Sequence, residues 1–384
     1  MDNNKKKNVP EIRFPGFTDP WEQRKLGTVV DVCSGKDYKH LAEGNIPVYG
    51  TGGYMLSVSE ALSQQDAIGI GRKGTIDNPY ILKAPFWTVD TLFYCIPKSC
   101  DLDFVYALYQ TINWRSMDES TGVPSLSKTA INDVEIHVPS VDEQHCIGEL
   151  FSNLDATITL HQRKCDELKI YKKGLLQQMF PQPGESIPRV RFPGFTDPWE
   201  QRKLEDIFTE RHILSKITKE YPRLSFTIEE GVIHPEDRKT NKRDFLMKDE
   251  SNKKFLVTEL EDIIYNPANV VWGALHRNTY GKGCLSPIYK IFSTDENPAF
   301  IECILRSPSF IRALSQKTEG TVVKLKTLKP EAFLEMSISV APQRAEQDAI
   351  AAVFEQIDNL ITLHQRKCDE LKTYKKGLLQ KMFV

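Results

Sequence analysis

The residues best suited to chemistry form a glycine-rich stretch, GIGRKG, at Gly69–Gly74. It matches G-x-G-x-x-G, the pattern with which dinucleotide-binding folds hold a pyrophosphate. That use requires a helix directly afterwards, and Pro79 and Pro85 stand where the helix would run. The stretch is therefore predicted to be a tight turn that presents Arg72 and Lys73 to a phosphate or a guanine edge, with a plain surface turn as the alternative.

A second stretch, DNPY at Asp77–Tyr80, resembles the catalytic tetrapeptide of adenine methyltransferases, in which proline and an aromatic residue hold a flipped base. The second proline of that motif is missing, and no glycine-rich S-adenosylmethionine loop precedes it. NPAN at Asn266–Asn269 has less support still. The sequence also contains no Walker loop and no nucleophile elbow, so it predicts a chain without catalytic residues of its own.

Basic residues alternate with aromatic and amide side chains in the C-terminal half. RKTNKR holds four basic residues in six, and VVWGALHRNTYGKG is a glycine-punctuated stretch. KLKTLK alternates charge with apolar residues, as an edge strand with one basic face would. Such patterns suit contacts with the grooves of DNA, and solvated charge runs are the alternative.

The composition excludes several classes of protein. A chain of 384 residues with 40% hydrophobic and 27% charged residues predicts a soluble globular protein of at least two domains. No stretch approaches the ~20 apolar residues of a membrane span, and the N-terminus lacks the apolar region of a signal peptide. The eight cysteines show no CxxC spacing, which predicts neither disulfides nor a metal site and favours the cytoplasm. Because the formal net charge is −2, any surface that faces DNA must be a local patch.

The elements that position these stretches occur twice. The residues RFPGFTDPWEQRKL, here called the frame, are identical at Arg13–Leu26 and Arg191–Leu204. The block ITLHQRKCDELK recurs at Ile158–Lys169 and Ile361–Lys372, and each copy continues, one residue on, as YKKGLLQ. The chain thus runs twice through a frame, a variable segment and a helix-like block, which predicts a pseudo-two-fold molecule rather than a solenoid.

The helix-like blocks carry a heptad pattern. Alternating steps of four and three from Ile147 and from Ile350 keep eight of ten positions apolar in both blocks, and His161 and His364 are equivalent polar exceptions. Sustained 4-3 spacing over about five heptads predicts two long coiled-coil helices that pack antiparallel within the chain. The histidines are interpreted as polar seam residues, with a metal or proton site as the alternative. The predicted seam residues are Ile147, Phe151, Leu154, Ile158, Cys165, Leu168, Leu175, Ile350, Phe354, Ile357, Ile361, Cys368, Leu371 and Leu378.

The order of frames and helical blocks, together with the segment IPVYGTGGY…AIGIGRKGTI…DTLFYC, resembles the specificity subunit of type I restriction–modification systems. The resemblance covers essentially the whole chain. It implies an α+β fold in which two α/β target-recognition domains are separated by two long antiparallel coiled-coil helices, with a pseudo-two-fold internal repeat. The corresponding division is an N-terminal frame segment at 1–26, a first target-recognition domain at 27–140, a central long helix at 141–182, a repeated frame segment at 183–204, a second target-recognition domain at 205–341 and a C-terminal long helix at 342–384.

The resemblance further implies a non-catalytic, DNA-binding subunit of a complex that is both a site-specific endonuclease and an adenine methyltransferase. Each target-recognition domain would read one half of a bipartite, asymmetric site in double-stranded DNA. The helices would act as a spacer and as a docking surface for two modification subunits, which two restriction subunits then join. No cofactor is expected on this chain, because S-adenosylmethionine, ATP and Mg would bind the partner subunits, and no membrane is expected as a partner.

The resemblance also implies which residues contact DNA. The loops Gly71–Thr75 and Gly273–Arg277 are expected to occupy comparable places in the two domains. Two alternatives to this function remain open, namely a stand-alone DNA adenine methyltransferase with a coiled-coil insert and a coiled-coil scaffold without sequence preference. The expected DNA-binding residues are Gly71, Arg72, Lys73, Gly74, Thr75, Arg238, Lys239, Asn241, Lys242, Arg243, Trp272, His276, Arg277, Lys282, Lys324 and Lys326.

Overall fold

The computed structural model describes residues 8–238, 253–319 and 327–384, and the chain divides into two compact units. The first unit consists of residues 1–164 and 364–384, and the second consists of residues 165–363. Each unit therefore combines one variable segment with parts of both long helices. The predicted α+β class, with two long antiparallel helices and an internal repeat, is confirmed.

The first variable segment forms three short helices and two sheets in which most strand pairs are antiparallel, and a long helix follows it. The elements are β1 (Glu22–Lys25), α1 (Leu26–Val29), β2 (Val30–Ser34), β3 (Glu43–Gly50), β4 (Gly53–Val58), β5 (Ala67–Gly71), β6 (Tyr80–Leu82), β7 (Trp87–Thr88), β8 (Leu92–Pro97), α2 (Leu102–Tyr109), a 3-10 turn (Trp114–Met117), α3 (Lys128–Asn132), β9 (Glu135–Val138) and the long helix α4 (Val141–Met179). The main sheet has the order β2-β8-β5-β6, and a smaller one has the order β4-β3-β7. All five residues of β5, AIGIG, are buried, so this strand lies at the centre of the segment's core.

The second variable segment repeats this plan with a different sequence. Its elements are β10 (Glu200–Lys203), a 3-10 turn (Leu204–Asp206), β11 (Phe208–Glu210), β12 (Leu214–Ser215), β13 (Ser225–Thr227), β14 (Gly231–Ile233), a 3-10 turn (Pro235–Asp237), β15 (Phe255–Thr258), β16 (Ile263–Tyr265), a 3-10 turn (Val270–Trp272), β17 (Leu275–Arg277), β18 (Gly283–Leu285), β19 (Lys290–Thr294), α5 (Pro298–Leu305), α6 (Pro308–Gln316), α7 (Pro330–Leu334), β20 (Ser337–Val340) and the long helix α8 (Arg344–Met382). The main sheet has the order β11-β19-β16-β17, with antiparallel pairing throughout as in the first segment. A sheet β12-β15-β18 and a hairpin β13-β14 accompany it.

The two long helices, of 39 residues each, pack antiparallel in both units. In the first unit, Lys375 Nζ on α8 donates to Asp155 on α4, with the shorter contact at 2.5 Å. In the second unit the equivalent lysine lies on α4 and the equivalent aspartate on α8, and Lys172 Nζ donates to Asp358 at 2.6 Å. The duplicated sequence thus produces the same interhelical contact twice, once in each unit.

The predicted seam residues lie between the helices or against the variable segments, and none of them is exposed. Half-buried members include Leu154 and Leu168. The Sγ of Cys165 donates to the carbonyl of Ile361 at 3.5 Å. Eight are buried, namely Ile147, Phe151, Cys165, Ile350, Phe354, Ile357, Cys368 and Leu378.

Each frame attaches its variable segment to the long helices. In the first unit, Arg13 forms a bidentate pair with Glu143 near the start of α4, at 2.7 and 2.8 Å. Trp21 of the same frame packs edge-on against Phe383, just beyond the end of α8, with 5.9 Å between ring centroids. The frame strand β1 then pairs antiparallel with β9, the last strand before α4.

The second frame makes the corresponding contacts, but here with the start of α8 and the end of α4. Arg191 pairs with Glu346 near the start of α8, at 2.6 and 2.8 Å. Trp199 packs edge-on against Phe180, just beyond the end of α4, at 5.6 Å. The identical frames are therefore explained by two equivalent attachment sites, each built from the start of one long helix and the end of the other.

Candidate nucleic-acid interface

The loop that carries Arg72 and Lys73 connects β5 to β6. A Cβ atom on Gly71 would lie 2.0 Å from the carbonyl oxygen of Thr75, and Gly74 has a φ of +92°, so both glycines are required by the backbone path. The element that follows is a β-strand rather than the helix of a dinucleotide site. Residues 72–79 form a loop with bends at Arg72, Gly74 and Asp77, so the turn predicted from GRKG is confirmed only as a bend within a longer loop.

Main-chain hydrogen bonds hold this loop on both sides. The amide of Arg72 donates to the carbonyl of Thr91 at 2.8 Å, and its own carbonyl accepts from the amide of Leu126 at 3.0 Å. The amide of Gly74 donates to Pro124 at 2.8 Å. The backbone of the loop is therefore fixed, while the side chains of Arg72 and Lys73 are exposed.

Arg72 borders a surface groove of about 380 Å³. Its guanidinium carbon lies 5.9 Å from the centroid of the Phe93 ring, and its Nη1 donates to the carbonyl of Asp90 at 3.4 Å. The groove also exposes Lys128, which the sequence did not single out because it is distant from the GRKG motif along the chain. The residues that line it are Ser34, Arg72, Lys73, Phe93, Ser125, Leu126, Ser127 and Lys128.

The sheet order identifies the equivalent loop of the second segment. Strands β16 and β17 occupy the places of β5 and β6, so the counterpart of the GRKG loop is residues 266–274. Of the predicted counterpart, Gly273–Arg277, only the first two residues belong to this loop, because Leu275–Arg277 form β17. The loop exposes Trp272, whose side chain is 62% accessible.

The structure places His276 and Arg277 away from any open surface. His276 is 4% exposed, and its Nε2 donates to the carbonyl of Ile228 at 2.7 Å. Burial, aided by the positive charge of Arg306, lowers the pKa of His276 to about 4. A neutral, buried imidazole cannot contact a phosphate, so we withdraw His276 as a candidate DNA contact.

Arg277 is already paired with acidic side chains. It contacts Glu261 at 2.8 Å, Glu355 at 2.6 Å and Glu302 at 3.4 Å. Burial alone would lower the pKa of Arg277, but the hydrogen bonds to Glu261 and the charges of the three glutamates raise it above its ordinary value. Its guanidinium holds α5 and α8 to the sheet, and we withdraw it as well.

The remaining candidates differ in their surroundings. Lys282 is exposed, with Nζ 3.9 Å from Glu220 and 5.9 Å from the centroid of the Tyr221 ring. Arg238 is half-buried, and its Nε has no hydrogen-bond partner among the residues that the structure describes. Six candidates lie outside the described residues, namely Lys239, Asn241, Lys242, Arg243, Lys324 and Lys326.

The two seam histidines face each other. The Nδ1 atoms of His161 and His364 are 2.8 Å apart, so one imidazole donates and the other accepts. Within residues 8–238, 253–319 and 327–384, no group of three or more His, Cys, Asp or Glu side chains could hold a metal ion. In the same ranges, no helix is long and apolar enough to cross a membrane.

The long helices expose apolar side chains at equivalent positions of the duplicated block. In the first unit these are Leu160, 50% accessible, and Tyr374, 58% accessible. In the second unit they are Leu363, 61% accessible, and Tyr171, 59% accessible. The duplicated block thus presents the same exposed apolar residues at equivalent positions in both units.

Comparison with known proteins gives consistent matches. Residues 18–169 match the family described as the type I restriction modification DNA specificity domain. The type I restriction enzyme MjaVIII specificity subunit of Methanocaldococcus jannaschii is 23% identical over 290 residues. That alignment covers 69% of this chain and 65% of the relative, slightly less than two thirds of the relative's length.

Among solved structures, the S subunit of the type I restriction-modification system from M. genitalium has a TM-score of 0.66. The match covers 98% of this chain and 99% of that one at 13% identity, which shows a shared fold. The matched residues 18–169 include the first frame, the first variable segment and most of α4. The resemblance predicted from the sequence is therefore confirmed: residues 18–169 match the type I restriction modification DNA specificity domain, and the whole chain shares its fold with that S subunit.

Proposed function

We propose that this chain is the sequence-specific DNA-binding subunit of a type I restriction–modification enzyme, and that each variable segment reads one half of a bipartite, asymmetric site. The observation that supports this most directly is the equivalence of the loops β5–β6 and β16–β17. They occupy the same place in the same sheet order but expose different side chains. Two loops at equivalent positions that expose different side chains are suited to two half-sites of different sequence.

The two loops offer different chemistry to DNA. Arg72 and Lys73 can donate to guanine O6 and N7 or to phosphate oxygens. Trp272 offers an exposed indole, which can pack against a thymine methyl group or a sugar and can donate one hydrogen bond. The first segment is thus suited to a G-containing half-site, and the second to contacts that are largely apolar.

The helices and frames would dock two modification subunits. The support is that the exposed leucine and tyrosine of α4 recur at the equivalent positions of α8, although the variable segments have diverged. Two identical partners need two identical surfaces. Those partners would supply S-adenosylmethionine and methyl transfer, and two restriction subunits would supply ATP, Mg and cleavage, while this chain contributes no chemistry of its own.

Methylome sequencing of cells that express this chain with its modification subunits tests the proposal. We expect one bipartite methylated motif that is absent from cells expressing the modification subunits alone. Good expression without any motif would overturn the proposed function. Methyl transfer by the purified chain with S-adenosylmethionine would instead support the stand-alone methyltransferase.

A further inference from the structure

The charge of the first variable segment is unfavourable for DNA as a whole. Residues 27–140 contain eight Lys and Arg against thirteen Asp and Glu. A net negative segment repels phosphates at a distance, so contact with DNA requires a place where positive charge is concentrated and not neutralised. Three of the basic residues form ion pairs with carboxylates, namely Lys83 with Asp66, Lys98 with Asp31 and Arg115 with Asp77.

Three of the other five basic residues meet at the groove beside the GRKG loop. Arg72, Lys73 and Lys128 all line it, and no acidic residue does. None of the three forms an ion pair with a carboxylate within the described part of the chain. The groove is therefore where this segment gathers positive charge that is not paired directly with a carboxylate.

The groove also offers hydroxyl groups. Ser34 and Ser125 line it, and their Oγ atoms make no hydrogen bond to other residues that the structure describes. Ser127 is already engaged, since its Oγ accepts from the amide of Ala130 at 3.0 Å and donates to Glu119 at 2.8 Å. Asp118 is also near, since its carboxylate accepts from the amide of Ser125 at 2.9 Å. The Glu119 and Asp118 carboxylates offset part of the positive charge, but the three cations outnumber them.

We propose that this groove binds a phosphate of the DNA backbone, with Lys128 and Lys73 as its ion-pairing partners and Ser34 and Ser125 as hydrogen-bond donors. Phosphate contacts set the register of a protein on the duplex, whereas base contacts specify the sequence. The bound phosphate would hold the duplex against the segment so that Arg72, positioned over Phe93, meets an adjacent base edge. This inference rests on the proposed function and assigns Lys128 the role of a positioning residue.

A salt titration of Lys128→Gln tests the inference, with Lys39→Gln as the matched control. Lys39 belongs to the same segment, is exposed, forms no ion pair within the described residues and does not line the groove. The chain assembled with its modification subunits is titrated with a duplex carrying its methylated motif and with an unrelated duplex. Each lost phosphate contact should lower the slope of log K against log salt by about 0.9.

We expect Lys128→Gln to weaken binding to both duplexes by the same factor, to lower the slope and to leave the methylated motif unchanged. Lys73→Gln should lower the slope further when it is combined with Lys128→Gln, and Lys39→Gln should match the wild type. If Lys128→Gln behaves like Lys39→Gln, or changes the preferred bases, the inference is wrong although the wild-type motif stands. If the wild type has no motif, the proposed function itself has failed.

Discussion

Arg13 and Arg191 each hold a frame to the start of a long helix through a pair that is largely removed from water. The partners Glu143 and Glu346 are both fully buried. The hydrogen bond to Glu143 raises the pKa of Arg13, and the bond to Glu346 raises that of Arg191. Loss of one partner would leave a buried charge without compensation, which costs far more than loss of an exposed pair.

Replacement of either buried glutamate should therefore destabilise the unit to which it belongs. We expect Glu143→Ala and Glu346→Ala each to lower the free energy of unfolding by about 3–5 kcal/mol. Glu22→Ala is the control, because its pair with Arg24 is exposed and should contribute less than about 1 kcal/mol. Urea unfolding measures all three, and equal effects of Glu143→Ala and Glu22→Ala would contradict the role assigned to the frame.

His276 makes stability depend on pH. The pKa of His276 falls from an ordinary 6.5 to about 4 in the folded chain. Between pH 6.5 and about pH 4, the unfolded chain therefore binds a proton at His276 that the folded chain does not bind. The stabilising contribution of a neutral His276 is thus fully present above about pH 6.5 and is lost as the pH falls towards 4, by about 3 kcal/mol in total. We expect the unfolding free energy of His276→Gln to decline less steeply over this range. Parallel pH profiles of the variant and the wild type would refute the assignment.

Among the elements, the β5–β6 loop combines a required backbone shape with exposed cations. Its sequence was sufficient to predict the turn, because glycine spacing and the following prolines are local signals. It was insufficient to predict the groove, because Lys128 and Ser34 approach the loop only through the tertiary fold. The same holds for Arg277, whose glutamate partners come from the β15–β16 loop, α5 and α8.

Gly71→Ala tests the loop as an element. The added Cβ would lie 2.0 Å from the Thr75 carbonyl, so the loop must move and carry Arg72 and Lys73 with it. We expect methylation at the bipartite motif to fall by about tenfold or more, with specificity lost in one half-site only. The control is Gly52→Ala, since a Cβ there meets nothing within 4 Å. Methylome sequencing compares the variants, and an unchanged motif for Gly71→Ala would argue against this loop as a contact with bases.

In the molecule as a whole, the internal repeat could be predicted from the sequence, because identical segments and a heptad pattern can be recognised without knowledge of the tertiary structure. The correspondence between the variable segments was predicted only in part, through the loops Gly71–Thr75 and Gly273–Arg277, because the segments share a sheet order without a shared sequence. Their attachment to the helices is nevertheless the same in detail. Gln144 Oε1 accepts from the amide of Asp101 at 3.1 Å, and Gln347 Oε1 accepts from the amide of Asn297 at 2.9 Å.

This equivalence predicts that one variable segment can occupy both attachment sites. In a chain whose residues 205–341 are replaced by a second copy of residues 27–140, the frame contacts Arg191–Glu346 and Trp199–Phe180 would remain. The pair between Arg277 and Glu355 is lost, but Glu355 is 45% exposed and can be solvated instead. The pair between the frame residue Arg202 and Glu296 is lost as well, and Arg202 is 33% exposed.

We expect this chain, expressed with its modification subunits, to methylate a motif made of two copies of one half-site. The internal two-fold repeat predicts that the copies are inverted, because the symmetry of a DNA site mirrors that of its binding protein. The wild-type chain, with its asymmetric motif, is the control in the same methylome experiment. Retention of the original second half-site would mean that residues outside 205–341 read it. A folded chain that assembles with its partners but methylates nothing would mean that the two attachment sites are not interchangeable.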